Sequence, residues 1–196
     1  MQSDSPLTPP VLLAFVGMPG SGKSEATTYL KQKGFAYVRF GELTEDGLSQ
    51  LGLPLTPENE KMYREKIRSE LGMAAYAIRS EAKIRSLLQK NNVVVIDGLY
   101  SWEEYTYLLQ IFSGLKIVYV FAKPQIRYER LIKRAVRPLI VEQARERDFA
   151  EIEKLNKSGP IAIADFIIEN NTSLGDLHTK IDQLLKYLQI TSGSSI

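Results

Sequence analysis

The chain has 196 residues, 44% hydrophobic and 24% charged, which suits one domain with an ordinary core. Its 25 Lys and Arg against 23 Asp and Glu leave a net charge of +2, no electrostatic ground for general nucleic-acid or membrane binding. It contains no Cys, which excludes disulfides and thiolate metal sites and leads us to expect a reducing, cytoplasmic setting.

In chain order, residues 1–10 carry three Pro and no Lys or Arg. They are expected to be a disordered tail and not a signal peptide. "VLLAFVG" (11–17) is a continuous apolar run, expected as a strand buried on both faces. A helical pattern from Lys23 to about Lys33 stops at Gly34, and "FAYVRF" (35–40) reads as a second strand. Residues 42–55, with Gly47, Gly52 and Pro54, give no clear element. From Thr56 the spacing of Tyr63, Ile67, Leu71, Ala74 and Ile78 predicts helix for some 35 residues, broken at Gly72.

"VVVIDG" (93–98) is a third strand. Ser101, with Glu104 three residues on, is an expected capping box for the following helix. "LKIVYVFA" (115–122) is a fourth strand, followed by a helix over 124–135 and a polar helical piece over 141–157 that ends at "SGP". "ADFIIEN" (164–170) is the fifth strand, 173–189 a closing helix, and 191–196 a second small, polar tail. Strands that alternate with helices throughout predict an α/β fold with a five-stranded parallel sheet covered on both faces. No apolar stretch approaches the roughly 20 residues of a membrane helix.

The turn after the first strand, "GMPGSGKS" (17–24), matches G-x-x-x-x-G-K-[ST] in full. Glycines allow a chain to wrap closely round a phosphate. Backbone N–H groups and the N-terminus of the next helix then face its oxygens. Gly17, Gly20, Ser21, Gly22, Lys23, Ser24 and Glu25 are accordingly candidate nucleotide-binding residues, with Lys23 reaching the β- and γ-phosphates and Ser24 ligating Mg²⁺. The alternative is a plain Gly-rich turn, which the strand-before, helix-after context disfavours.

Asp97 ends the third strand, on the sheet edge where ligands bind in open parallel sheets. It is a candidate Mg²⁺ ligand with Ser24, the alternative being a cap for the turn "DGLYS". Arg127, Arg130 and Arg134 follow at i, i+3 and i+7 after the fourth strand, then Arg137, Arg145 and Arg147. Guanidinium groups of this kind stabilise charge on a transferred phosphoryl group, and the alternative is a solvated helix face.

These residues together resemble the P-loop nucleoside and nucleotide kinases, meaning adenylate kinase, its relatives and dephospho-coenzyme A kinase. "GMPGSGKSE", "TPEN", "VVIDG", "RYERLIKR", "RERD" and "IADFIIEN" most resemble an adenylate-kinase-related family of P-loop proteins, most of them without an assigned substrate. "ADFIIEN" with its closing helix is a weaker likeness to dephospho-coenzyme A kinase. The resemblance spans residues 11 to about 188. It implies one three-layer P-loop kinase domain over 11–190, with a helical substrate insertion at about 42–90 and an Arg-rich lid at about 137–160.

By the same resemblance, Lys23, Asp97, Arg130 and Arg134 would be the catalytic set, and Gly41 with Glu42 would start the acceptor segment. The arginines that adenylate kinase carries after that pair and after the third strand are missing, since this chain has Glu45 beyond Thr44 and "DGLYS" at 97–101. That leaves ATP as the expected donor and puts AMP in doubt as acceptor. Arg39, Glu42, Arg68 and Tyr100 are the remaining acceptor candidates; Trp102 can line the pocket or join the core. The single His, His178, is expected to pack or face solvent.

The sequence thus predicts an ATP- and Mg²⁺-dependent phosphotransferase acting on a small nucleotide-like acceptor, in a monomer or homodimer, with no nucleic-acid or membrane partner. The alternative is a regulatory ATP-binding module with no acceptor.

Overall fold

Short apolar runs of β-branched residues become strands here because both faces are covered. Val93–Asp97 is buried along its whole length, and Leu12 to Val16 are fully buried. The computed structural model describes residues 10–135 and 137–190, so the two expected tails, Pro10 apart, lie outside the described residues.

The strands are β1 (Val11–Val16), β2 (Ala36–Arg39), β3 (Val93–Asp97), β4 (Leu115–Phe121) and β5 (Phe166–Glu169). They form the predicted five-stranded sheet, all parallel, in the order β2-β3-β1-β4-β5. The chain passes over β1 on its way from β3 to β4. The turn that leaves the C-terminal end of β1 therefore opens at this crossover, the place where parallel sheets bind ligands.

Alternation along β1 sends successive side chains to opposite faces. Leu13 and Phe15 pack with Ala26 and Leu30 of α1 (Lys23–Gln32) and with Leu177, Ile181 and Leu185 of α9 (Leu174–Tyr187). Leu12, Ala14 and Val16 face Ile67 of α3 (Pro57–Leu71), Ile84 of α4 (Ala75–Leu88) and Leu108 of α5 (Trp102–Ile111). The predicted break at Gly72 separates α3 from α4, and Thr56 caps α3 by accepting from the Asn59 N–H at 3.2 Å.

Two sequence expectations need correction. Residues 42–55 contain a helix, α2 (Glu42–Gln50), despite Gly47. That glycine is a packing requirement, since a Cβ there would lie 2.0 Å from Cζ of Tyr63. Glycine's propensity cost of about 1 kcal/mol is outweighed by the approach of α3.

The second concerns α7 (Val141–Glu153), which follows α6 (Pro124–Lys133) and stops short of the predicted 157. A packed version of this helix would be expected to bury Phe149, Ile152 and Leu155. Phe149 and Ile152 are instead exposed, Leu155 lies beyond the helix, and the buried stripe is Ala144, Asp148 and Glu151. The reason is the facing surface, which presents Arg127 and Lys157 rather than apolar side chains.

Candidate functional site

Gly17 to Ser24 turn tightly between β1 and α1. Gly20 has φ +79°, and a Cβ there would lie 2.6 Å from the Arg127 carbonyl oxygen. Gly22, at φ +95°, is the N-cap of α1, and a Cβ on it would meet Nδ2 of Asn170 at 2.2 Å. That amide donates to the Ser21 carbonyl at 2.8 Å, which ties the loop to the end of β5. With no side chain on its N-cap, α1 keeps first-turn N–H groups available to an anion. The Ser21 hydroxyl is buried without a hydrogen-bond partner, so it also can donate to a ligand oxygen.

β1 and β3 pair in the register Phe15–Asp97, which sets Asp97 beside the loop. Lys23 Nζ donates to Asp97 Oδ1 at 2.5 Å, and the Tyr37 hydroxyl donates to Oδ2 at 3.2 Å. Both ends of the ion pair are nearly covered, at 10% and 5% side-chain exposure. Burial works against the Lys23 charge, but Tyr100 and Asp97 more than offset it and hold the ammonium above its ordinary value. The ammonium also sits 5.5 Å from the centre of the Tyr100 ring.

A cleft of about 470 Å³ opens above the loop, lined by residues 17–25, Tyr100, Arg130, Leu131, Arg134, Arg147, Glu151 and Lys157. Among the described residues, Arg130 makes only long contacts to neutral oxygens, 3.3–3.5 Å from Gly20, Asn170 and Thr172. Burial draws it below its ordinary value. Burial also lowers Arg134, and repulsion from Arg147 and Arg137 adds to this. Crowded cations of this kind are what an anion would relieve.

The arginines divide by role. Arg127 is a strut: its guanidinium is bidentate to Asp148 at 2.6 and 2.9 Å and also donates to the carbonyls of Pro19 (3.0 Å) and Ala122 (3.2 Å). It thereby ties α7 to the phosphate loop. Arg137 reaches away to Glu60 of α3 at 2.8 Å, and Arg145 lies over the Phe149 ring. Only Arg147 of the three expected lid arginines lines the cleft. His178 packs against the Tyr29 ring, 3.9 Å between centroids, as expected.

The fold thus gathers Gly17, Gly20, Ser21, Gly22, Lys23, Ser24, Glu25, Tyr100, Arg130 and Arg134 round one cleft, with Asp97 joined through Lys23. Arg39, Glu42 and Arg68 do not line it. Arg39 pairs with Glu45 at 2.5 Å and lies 4.0 Å from Glu42, while Arg68 rests over the Tyr76 ring at 5.5 Å. Trp102 covers Gly159 and leans on Tyr105 instead of entering the cleft. Glu151 and Lys157 were missed in the sequence. Neither belongs to a motif, and the contact between them forms only when the chain turns from α7 into α8 (Ser158–Ala162), setting the Lys157 N–H on the Glu151 carbonyl.

Glu104 closes the expected capping box of α5: its Oε2 accepts from the N–H groups of Tyr100 (2.7 Å) and Ser101 (3.2 Å). Its other oxygen is buried without a partner, as is Nε of Arg68. Burial pushes the carboxyl up to about 7 from 4.5. Between those values the folded chain keeps a proton that the unfolded chain has lost, so stability present below pH 4.5 declines as pH rises to about 7. The size is about 3 kcal/mol at 1.36 kcal/mol per unit. Glu104→Gln is expected to remove this decline, seen as a smaller difference in urea midpoint between pH 5 and pH 8. Parallel behaviour of the two proteins would show that Glu104 is ionised throughout.

A family model described as an AAA domain matches residues 13–152. A UPF0200 protein of Thermococcus onnurineus (strain NA1) is 34% identical over 180 residues, covering 90% of this chain and 97% of the relative. The chain belongs to the UPF0200 family. Among solved structures, it is similar to shikimate kinase from Acinetobacter baumannii in complex with shikimate, at 19% identity with 93% and 96% of the two chains covered and a TM-score of 0.56. A gluconokinase from Sinorhizobium meliloti 1021 gives 17% identity, coverage of 92% and 96%, and a TM-score of 0.52. These two likenesses establish the fold alone, an α/β fold that the chain shares with those two kinases.

Proposed function

We propose that the protein is an ATP-dependent kinase that transfers the γ-phosphate to a small, nucleotide-like acceptor. The carrying observation is the charge of the cleft: Lys23, Arg130, Arg134, Arg147 and Lys157 converge on the phosphate loop against two lining carboxylates, Glu25 and Glu151. The loop and the α1 N-terminus would hold the phosphates, and Lys23 would exchange Asp97 for their oxygens. Arg130 and Arg134 would neutralise charge developing on the transferred group, so that catalysis is positioning and electrostatics with no covalent intermediate.

The Ser24 hydroxyl and the Asp97 carboxylate are hard oxygen donors, the set that suits Mg²⁺. Among the described residues there is no cluster of three or more metal-ligating side chains. This fits an ion that takes most of its shell from phosphate and water. The ion's chemistry would be to neutralise phosphate charge; Ser24 and Asp97 would hold it in place.

On the acceptor side we assign Tyr100 at the cleft, with Arg39 at the end of β2 and Glu42 and Arg68 on the insertion. A phosphorylated acceptor would compete with Glu45 for Arg39. The described residues contain no helix long and apolar enough to cross a membrane, and the proposed setting is the cytoplasm. Segment 137–160 would act as a lid that excludes water.

The test is a screen of nucleoside monophosphates and dephospho-coenzyme A with MgATP, read by thermal shift and by product. Turnover that rises sharply with one acceptor supports the kinase. Slow hydrolysis that no acceptor alters favours an ATP-binding switch, a reading to which the buried Lys23–Asp97 pair lends weight, because nucleotide must break it. Asp97→Asn is expected to keep the fold, lower activity strongly and shift the Mg²⁺ titration. An unchanged titration would restrict Asp97 to holding Lys23 and capping the turn.

A further inference from the structure

Lys157 is 2% exposed, yet it lines the cleft. Its ammonium donates to Glu151 Oε2, and its backbone N–H to the Glu151 carbonyl at 3.2 Å. Nζ lies 5.1 Å from the centre of the Tyr100 ring, the same ring that Lys23 approaches at 5.5 Å. Two ammonium groups therefore share one aromatic side chain, each with its own carboxylate: Asp97 for Lys23 and Glu151 for Lys157. Glu151 also takes Arg147 at 3.3 Å, so one carboxylate serves two cations.

Burial pushes the Lys157 ammonium below its ordinary value; Glu151 opposes this and Lys23 reinforces it. A buried ion pair is a weak stabiliser compared with apolar packing. A pin between α7 and α8 does not require a lysine, and does not require it to face the phosphate loop. A nucleoside triphosphate would bring the negative charge that this arrangement lacks.

We propose that Lys157 is a second phosphate-contacting lysine of the cleft, held by Glu151 in the empty chain and passed to the terminal phosphate of a bound nucleoside triphosphate. This rests on the phosphate-loop reading above and deepens it. The terminal phosphate is the group concerned because Lys157 shares the Tyr100 ring with Lys23, the side chain assigned above to the β- and γ-phosphates. Glu151 keeps Arg147 when it releases Lys157, so its own charge stays paired.

The experiment measures binding of a Mg²⁺-bound non-hydrolysable ATP analogue and of MgADP to the full chain and to two variants, by calorimetry. Lys157→Met is expected to weaken the analogue roughly tenfold and ADP by less than about twofold, the scale of one lost charged hydrogen bond. Glu151→Gln frees the lysine and is expected to tighten the analogue. A merely structural pin predicts the opposite pattern, in which both variants weaken both nucleotides alike, and that result overturns the proposal. Wild-type protein that binds both nucleotides, with an unchanged ratio in Lys157→Met, overturns this assignment alone. Wild-type protein that binds neither overturns it together with the phosphate-loop reading. Should Lys157→Met fold poorly, the sign of the Glu151→Gln effect still decides.

Discussion

Lys23→Ala is expected to abolish phosphoryl transfer and to destabilise the empty protein at once. The catalytic part follows from losing a positioned charge on the β- and γ-phosphates, which is comparable to losing one preorganised donor, about 10²–10³ in turnover. The stability part follows from the ion pair with Asp97, whose side chains are 10% and 5% exposed. Removing one member strands a buried carboxylate that keeps, among the described residues, only the Tyr37 hydroxyl as a hydrogen-bond partner, a loss of roughly 3 kcal/mol or more.

The two effects separate in a double variant. Adding Asp97→Asn to Lys23→Ala removes the stranded charge, so the denaturation midpoint is expected to recover while transfer remains absent. Near-normal turnover in Lys23→Ala would remove the phosphate-loop assignment. Failure of the second substitution to restore stability would place the cost in lost packing of the lysine stem.

The second large effect is expected at Asp148. Its carboxylate accepts two hydrogen bonds from Arg127 and one from the Tyr128 hydroxyl at 2.9 Å, all at the base of α7. Asp148→Ala leaves the Arg127 charge buried at 5% exposure and is expected to cost about 3–5 kcal/mol. With Phe149 and Ile152 turned to solvent, α7 has little apolar contact to keep it docked. Hydrogen exchange over 141–153 should therefore accelerate far more than exchange in β1 or β3. Because Arg127 also holds the Pro19 carbonyl, nucleotide affinity should fall as well. Uniform acceleration through the sheet would mean instead that the pair supports the fold as a whole.

The proposed lid motion bears on the same contact. If segment 137–160 closes over nucleotide, its helix moves about the Arg127–Asp148 pair, and exchange over 137–160 should slow when a non-hydrolysable ATP analogue binds. Equal, strong protection with and without the analogue would leave a static helix and remove the lid from the mechanism.

Local pattern was enough for the sheet, the phosphate loop and most helices. Apolar runs such as 93–97 can only be strands buried on both faces, and G-x-x-x-x-G-K-[ST] between a strand and a helix carries its own geometry in its glycines and its lysine. Ser101 with Glu104 foretold a capping box because the two bonds that close it lie within four residues. These features depend on contacts close in sequence, or on burial that every residue of a run reports.

The remainder was decided by surfaces that meet only in the folded chain. Gly47 argued against a helix until Tyr63 of α3 came to lie on it. The arginines at 127, 130 and 134 share one spacing, yet Arg127 is buried against Asp148 while Arg130 faces the cleft, because α7 covers one and not the other. Phe149 and Ile152 were the stripe that the alternative to a lid, a packed helix, would have buried, and it was the cationic surface beneath α7 that turned the acidic stripe inward. Lys157 lies 134 positions after Lys23 in the sequence, and Tyr100 joins them only because β3 runs beside β1 and the turn after α7 brings Lys157 back to Glu151. Periodicity reports which face of a helix is apolar; it holds no record of the charge on the surface that the helix will meet.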